Sequence, residues 1–186
     1  MTGVGFLPMV LGIMIAATSV PTLVLARTGP RPLAATGLLV SAGGLYWLSQ
    51  LTVDSSYLGG VLWPLLLLGL GIGTAVATSI NTATVDTAAE DAGVASAAVN
   101  AVQQVGGSAG LALLASIASA TLGEHGDLTA DRAAIEGYTN AFAVAAAVHL
   151  AGAVVVALLI PARQVPVDPG DPALTESTLA DHRGAR

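Results

Sequence analysis

SSYLGGVLWPLLLLGLGIGTAVATSINTATV, residues 55–85, contains no Asp, Glu, Lys or Arg. A helix rises about 1.5 Å per residue, so roughly 20 residues cross a hydrocarbon layer of about 30 Å, and this run is longer than that. It lacks the polar/apolar alternation of a barrel strand. Lipid offers the backbone no water, so a lone segment must pair its own N–H and C=O groups, and a helix is the structure that does so. The run is read as a membrane-spanning helix.

Four more charge-free blocks accompany it, residues 1–26, 32–53, 92–123 and 137–162. Each is long enough to span. The 186 residues are 54% hydrophobic and 10% charged, with a mean hydropathy of +0.76, whereas about a quarter of a soluble domain's residues carry charge. The expected fold is therefore all-α: a polytopic membrane bundle of about five helices, at residues 5–26, 33–51, 58–80, 94–122 and 138–160. Residues 1–161 form the transmembrane region. The tail, residues 162–186, carries Pro166, Pro169 and Pro172 among acids and small residues, and is expected to be disordered. The first block lacks a basic n-region, is too long for a signal-peptide core and precedes further spans, so it is assigned to the membrane.

The acids behind the pI of about 4.7 fall in loops and tail, which argues for solvation and against a nucleic-acid partner. Cysteine is absent, excluding disulfides and thiolate metal sites. All six basic residues are Arg. Arg27 and Arg31 follow the first span, Arg163, Arg183 and Arg186 follow the fifth, and Arg132 alone follows the fourth. The positive-inside rule then places the N-terminus outside and the C-terminus in the cytoplasm of a multi-pass plasma-membrane protein. Tyr46, Trp47, Tyr57, Trp63 and Tyr138 all fall near the outer end of a span and read as an interfacial belt.

Few residues within the spans carry chemistry. Gly69, Gly71 and Gly73 in the third span and Gly106, Gly107 and Gly110 in the fourth include the G-x-x-x-G spacing that lets helix backbones approach, and helix packing is their assigned role. A phosphate-cradling reading of residues 69–73 needs a preceding strand and water. Asn100, Gln103 and Gln104 make the fourth span the most polar. Their three- and four-residue spacing puts them near one face, as substrate-cavity candidates or as hydrogen-bonding glue between helices. His149, midway along the fifth span, is a further candidate because charge there is costly, the competing reading being a neutral ring bonded to the next helix. No second ligand accompanies it at metal spacing, so no metal or other cofactor is expected. No hydrolase constellation is present; Glu124 and His125 sit together only in a loop, and the chain is not read as an enzyme.

Four segments, taken in order, resemble a known family: GFLPM at residues 5–9, RTGPRPL at 27–33, GLGIG at 69–73, and AGVAS at 92–96 running through Asn100 to QVGGSAG at 104–110. Together they look like the last five helices of the 14-helix drug:proton antiporters (EmrB/QacA type) of the major facilitator superfamily. The resemblance implies export of amphipathic, often cationic, compounds in antiport with protons, through two bundles that rock about a central cavity. Arg27, Gly29 and Arg31 resemble the second copy of the family's cytoplasmic loop motif. Its acid would fall at Ala26 and its opening glycine at Thr22, so the charge pair of the first copy is missing and the loop is assigned to topology and docking.

The family pattern calls for roughly eight or nine more helices before Gly3. The expectation is thus a truncated gene product or one part of a split reading frame. Its partners would be the lipid bilayer, the missing N-terminal helices or a full-length transporter, and, once assembled, small-molecule substrate and protons. The alternative is a non-transport membrane scaffold or an inert fragment.

Overall fold

The computed structural model of the chain describes residues 2–19, 28–85, 91–124 and 130–159. Among the described residues there are five α-helices and no strand, as the all-α membrane reading requires. A 3-10 turn at Thr2–Phe6 leads into α1 (Leu7–Ser19), followed by α2 (Pro30–Leu48). A π turn at Tyr57–Val61 opens α3 (Leu62–Val85), and α4 (Ala92–Glu124) and α5 (Ala130–Leu159) complete the bundle. Three stretches are long and apolar enough to cross a membrane, Tyr57–Thr82, Gly93–Ala120 and Arg132–Leu159, and Val4–Ser19 is a shorter apolar helix. Residues 20–26 of the first predicted span, Arg27 and the tail 162–186 lie outside the described residues.

Two helix starts differ from the sequence expectation. α2 begins at Pro30 rather than at residue 33, because proline at the first helical position lacks only an N–H that would have no partner there. Gly29 precedes it with φ 78°, a conformation glycine adopts without a Cβ clash. α5 begins at Ala130 rather than at 138, so Arg132 and Glu136 are helical rather than in a loop. Ala133 is buried, and a Cβ on Gly137 would lie 2.8 Å from the Ala118 carbonyl oxygen. The first turns of α5 thus pack on α4, and the helix continues through both charges.

Pro64 accounts for the π turn. It cannot donate to the carbonyl one turn back, and its ring crowds that carbonyl, so the wider turn at Tyr57–Val61 takes up the conflict. Ser56 caps the turn by accepting from the Gly59 N–H at 3.3 Å.

The helices pack in the order α1, α3, α2, α5, α4, with α4 touching α3 only lightly. α2 is the central element, and its Leu45 and Leu48 join Leu65, Leu68, Ala145 and Ala146 in the main core. Around lipid such packing gains dispersion rather than escape from water, so close approach matters most. α3 supplies it on two faces. A Cβ on Gly69 would collide with the Met9 backbone, and one on Gly73 would sit 2.8 Å from the Ala16 Cβ, both on the α1 side. Gly71, two residues from each and so on the opposite face, meets Ser41 and Gly37 of α2.

Hydroxyl side chains of α3 bond within the helix. Thr74, Thr78 and Thr82 each donate to the carbonyl four residues back, at 2.7, 2.7 and 2.8 Å. Ser41, fully buried in α2, donates to Leu38 at 2.9 Å. Among the described residues no buried side-chain polar atom lacks a partner.

Candidate functional site

α4 leans away from α3, and between them opens a cavity of about 520 Å³. Ala34 and Leu38 of α2, Ala75, Val76 and Ser79 of α3, and Val156 of α5 form its inner walls. Ala98, Val99, Val102 and Gln103 of α4 close the other side. Residues 99, 102 and 103 share a helix face by their three- and four-residue spacing, so the same turn that presents two valines presents the Gln103 amide. The walls carry no ionisable group. Such a cavity holds an apolar body by contact and orients it through one amide, which offers both a donor and an acceptor.

The three amides part company here. Gln103 lines the cavity, whereas Asn100 and Gln104 do not, and all three are exposed in the isolated chain. Ser79, which lines the cavity while its hydroxyl donates to Ala75 at 2.8 Å, was not singled out from sequence. Nor were Val99 and Val102; their one sequence signal is helical spacing around Gln103.

His149 is half-buried on α5 and lies outside the cavity wall. Its Nδ1 is 2.8 Å from the Ala145 carbonyl oxygen, one turn back on the same helix. A carbonyl only accepts, so Nδ1 carries a proton and donates. The Nδ1 partner is thus on its own helix. Among the described residues no group of three or more acids, His or Cys could hold a metal.

The glycines divide in the same way as the helices. Gly69, Gly71 and Gly73 sit at helix contacts, but a Cβ on Gly106, Gly107 or Gly110 would meet no atom within 4 Å. α4 is also the least buried candidate span, with none of its most apolar window buried. Of the loop motif, Gly29 is the N-cap of α2 and Arg31, half-buried, lies in its first turn.

Five packed helices, spans of membrane length and an apolar cavity bearing a single amide define a polytopic helical membrane protein with a small-molecule-sized cavity. The chain is 39% identical over 90% of its length to a puromycin resistance protein of Streptomyces alboniger, covering 35% of that relative. It is 34% identical over 90% of its length to a cephamycin export protein of Amycolatopsis lactamdurans, covering 33% of it. A tetracenomycin C resistance and export protein of Streptomyces glaucescens matches 66% of the chain at 34% identity, over 22% of its own length. No protein-family model matches the chain. This similarity to antibiotic export and resistance proteins bears out the resemblance to the drug exporters of the major facilitator superfamily. It spans about a third of the length of the first two curated relatives.

Proposed function

We propose that the chain forms five helices of a drug efflux transporter that exports amphipathic small molecules in antiport with protons, with its N-terminus outside the plasma membrane. The supporting observation is the 520 Å³ cavity whose α4 wall presents Gln103 beside Val99 and Val102. Its apolar walls suit an amphipathic molecule's carbon skeleton, and the amide suits one polar group on it. The relatives are named for puromycin, cephamycin and tetracenomycin C, and the substrate class proposed here is antibiotics of that amphipathic kind. His149 is the one ionisable side chain set deep within a described span, and it is the candidate proton carrier on this part.

The test joins the chain to the remaining helices of a relative and scores drug resistance in a sensitive host. Resistance that collapses when an uncoupler dissipates the proton gradient supports the reading. Resistance unchanged by the uncoupler removes proton antiport. Undiminished resistance after Asn100, Gln103 and Gln104 are all changed to Leu removes the assigned cavity role.

The open glycines of α4 favour a second reading, a scaffold that docks this face on a full-length transporter without transporting by itself. Co-purification with such a transporter in a strain where the fused chain gives no resistance would select it. Rapid degradation of the chain expressed alone would select the inert-fragment form instead.

A further inference from the structure

At the end of the bundle away from Arg31, the link between α2 and α3 and the first turns of α5 enclose a second cavity of about 410 Å³. Leu51, Val53, Val61, Ile135 and Phe142 make its lining mainly apolar. It runs into a smaller space of about 250 Å³, walled in part by the same Leu51, Val53 and Ile135, where Arg132 and Glu136 stand at the rim. An apolar chamber thus opens onto one cation and one anion spaced a single helical turn apart.

The level of this chamber in the membrane follows from the residues around it. Tyr46, Trp47, Tyr57, Trp63 and Tyr138 are 42–64% exposed, and all belong to this end of the bundle. Exposed Trp and Tyr gather at the headgroup layer. The Tyr57 hydroxyl donates to the Gly5 carbonyl oxygen at 2.9 Å, bringing the start of the chain to the same end. α5, with 30 residues, extends roughly 45 Å, more than the hydrocarbon thickness, so its Arg132 end projects into the headgroup region.

We propose that this chamber is a binding site for a phospholipid from the surrounding bilayer. An acyl segment fills the apolar part, and the phosphate takes charge-assisted hydrogen bonds from the Arg132 guanidinium. The site rests on the membrane setting alone and is independent of the transport reading.

The full 186-residue chain, stripped of lipid in mild detergent, is incubated with dioleoyl phosphatidylcholine or with dioleoylglycerol, which has the same chains and no headgroup. Retained lipid is counted by native mass spectrometry. The phospholipid is expected to stay bound where dioleoylglycerol does not. Arg132→Gln should lower retention about tenfold, the scale of one charge-assisted contact, with partial recovery in Arg132→Lys. Arg132 is exposed, so these changes leave the core intact, and unchanged helical circular dichroism verifies it. Thr139→Trp, which fills the chamber, should also expel the lipid, whereas Trp47→Leu, outside it, should not. Equal retention of the two lipids, or full retention in Arg132→Gln, overturns the assignment.

Discussion

Gly37 of α2 and Gly71 of α3 approach so closely that a Cβ on Gly71 would lie 2.5 Å from the Gly37 carbonyl oxygen, and one on Gly37 would lie 2.8 Å from the Gly71 carbonyl oxygen. Real side chains do not tolerate either distance, and the obstacle on both sides is backbone, which cannot swing away. Gly71→Val should therefore force α2 and α3 apart and cost about 1–3 kcal/mol, the usual range for overpacking. Titration of the folded chain in mild detergent with SDS, followed by circular dichroism, is expected to show an earlier transition for Gly71→Val than for wild type. An unshifted midpoint would refute the close contact.

Gly107 provides the opposite case. A Cβ there meets nothing within 4 Å, so Gly107→Ala should leave the same SDS transition unchanged or slightly later, since alanine favours helix over glycine by about 1 kcal/mol. In the fused transporter of the resistance assay, a larger Gly107→Leu change should lower resistance, because the face is then expected to meet other helices. Retained resistance would leave the α4 face to lipid.

Most of the fold was legible because bilayer physics is severe: 30 Å of hydrocarbon admits few structures, and uninterrupted apolar blocks such as residues 55–85 announce themselves. Boundaries were less legible at Arg132 and Glu136, where charge was read as loop although Ala133 and Gly137 still pack against the bundle. Which glycine meets which helix could not be read from G-x-x-x-G spacing, because Gly69/Gly73 and Gly106/Gly110 share that spacing, yet the first pair meets α1 and the second meets nothing within 4 Å. The cavity was half visible. Gln103 stood out as a polar residue in a span, but the valines and Ser79 around it look like ordinary membrane composition until α3 and α4 are set side by side.

Gln103 should therefore separate from its neighbours in function. In the fused transporter, Gln103→Leu keeps the volume near that of the amide and removes one hydrogen bond, worth about 1 kcal/mol or roughly a fivefold change in apparent drug affinity. Asn100→Leu and Gln104→Leu, whose side chains lie off the cavity wall, should change affinity less. His149→Gln, also off that wall, should leave drug binding unaltered while shifting the pH dependence of export if the imidazole carries the proton. Binding of a fluorescent substrate to purified variants is the measurement, and equal losses from all three amides would contradict the assignment of Gln103 alone.

The Tyr57 hydroxyl ties the link before α3 to the Gly5 carbonyl across 52 positions of sequence. Being exposed, this bond is worth at most about 1 kcal/mol, too little to alter global stability. Its loss in Tyr57→Phe should instead loosen the first turn. Hydrogen exchange of the amides in Thr2–Phe6 is expected to speed up by a few-fold, with exchange in α2 and α3 unchanged.

Orientation is open to a direct measurement because the chain has no cysteine, so single substitutions report without background. Asp54 lies between α2 and α3 and Asp91 just before α4, at opposite ends of α3, and both are exposed. The arginines after the first and fifth spans argue that the Asp91 end faces the cytoplasm. In intact cells an impermeant maleimide should therefore label Asp54→Cys and should reach Asp91→Cys only after permeabilisation. The reversed pattern would place Arg31 outside and Arg132 inside, turning the proposed export direction around, and labelling of both from one side would contradict α3 as a membrane-crossing helix.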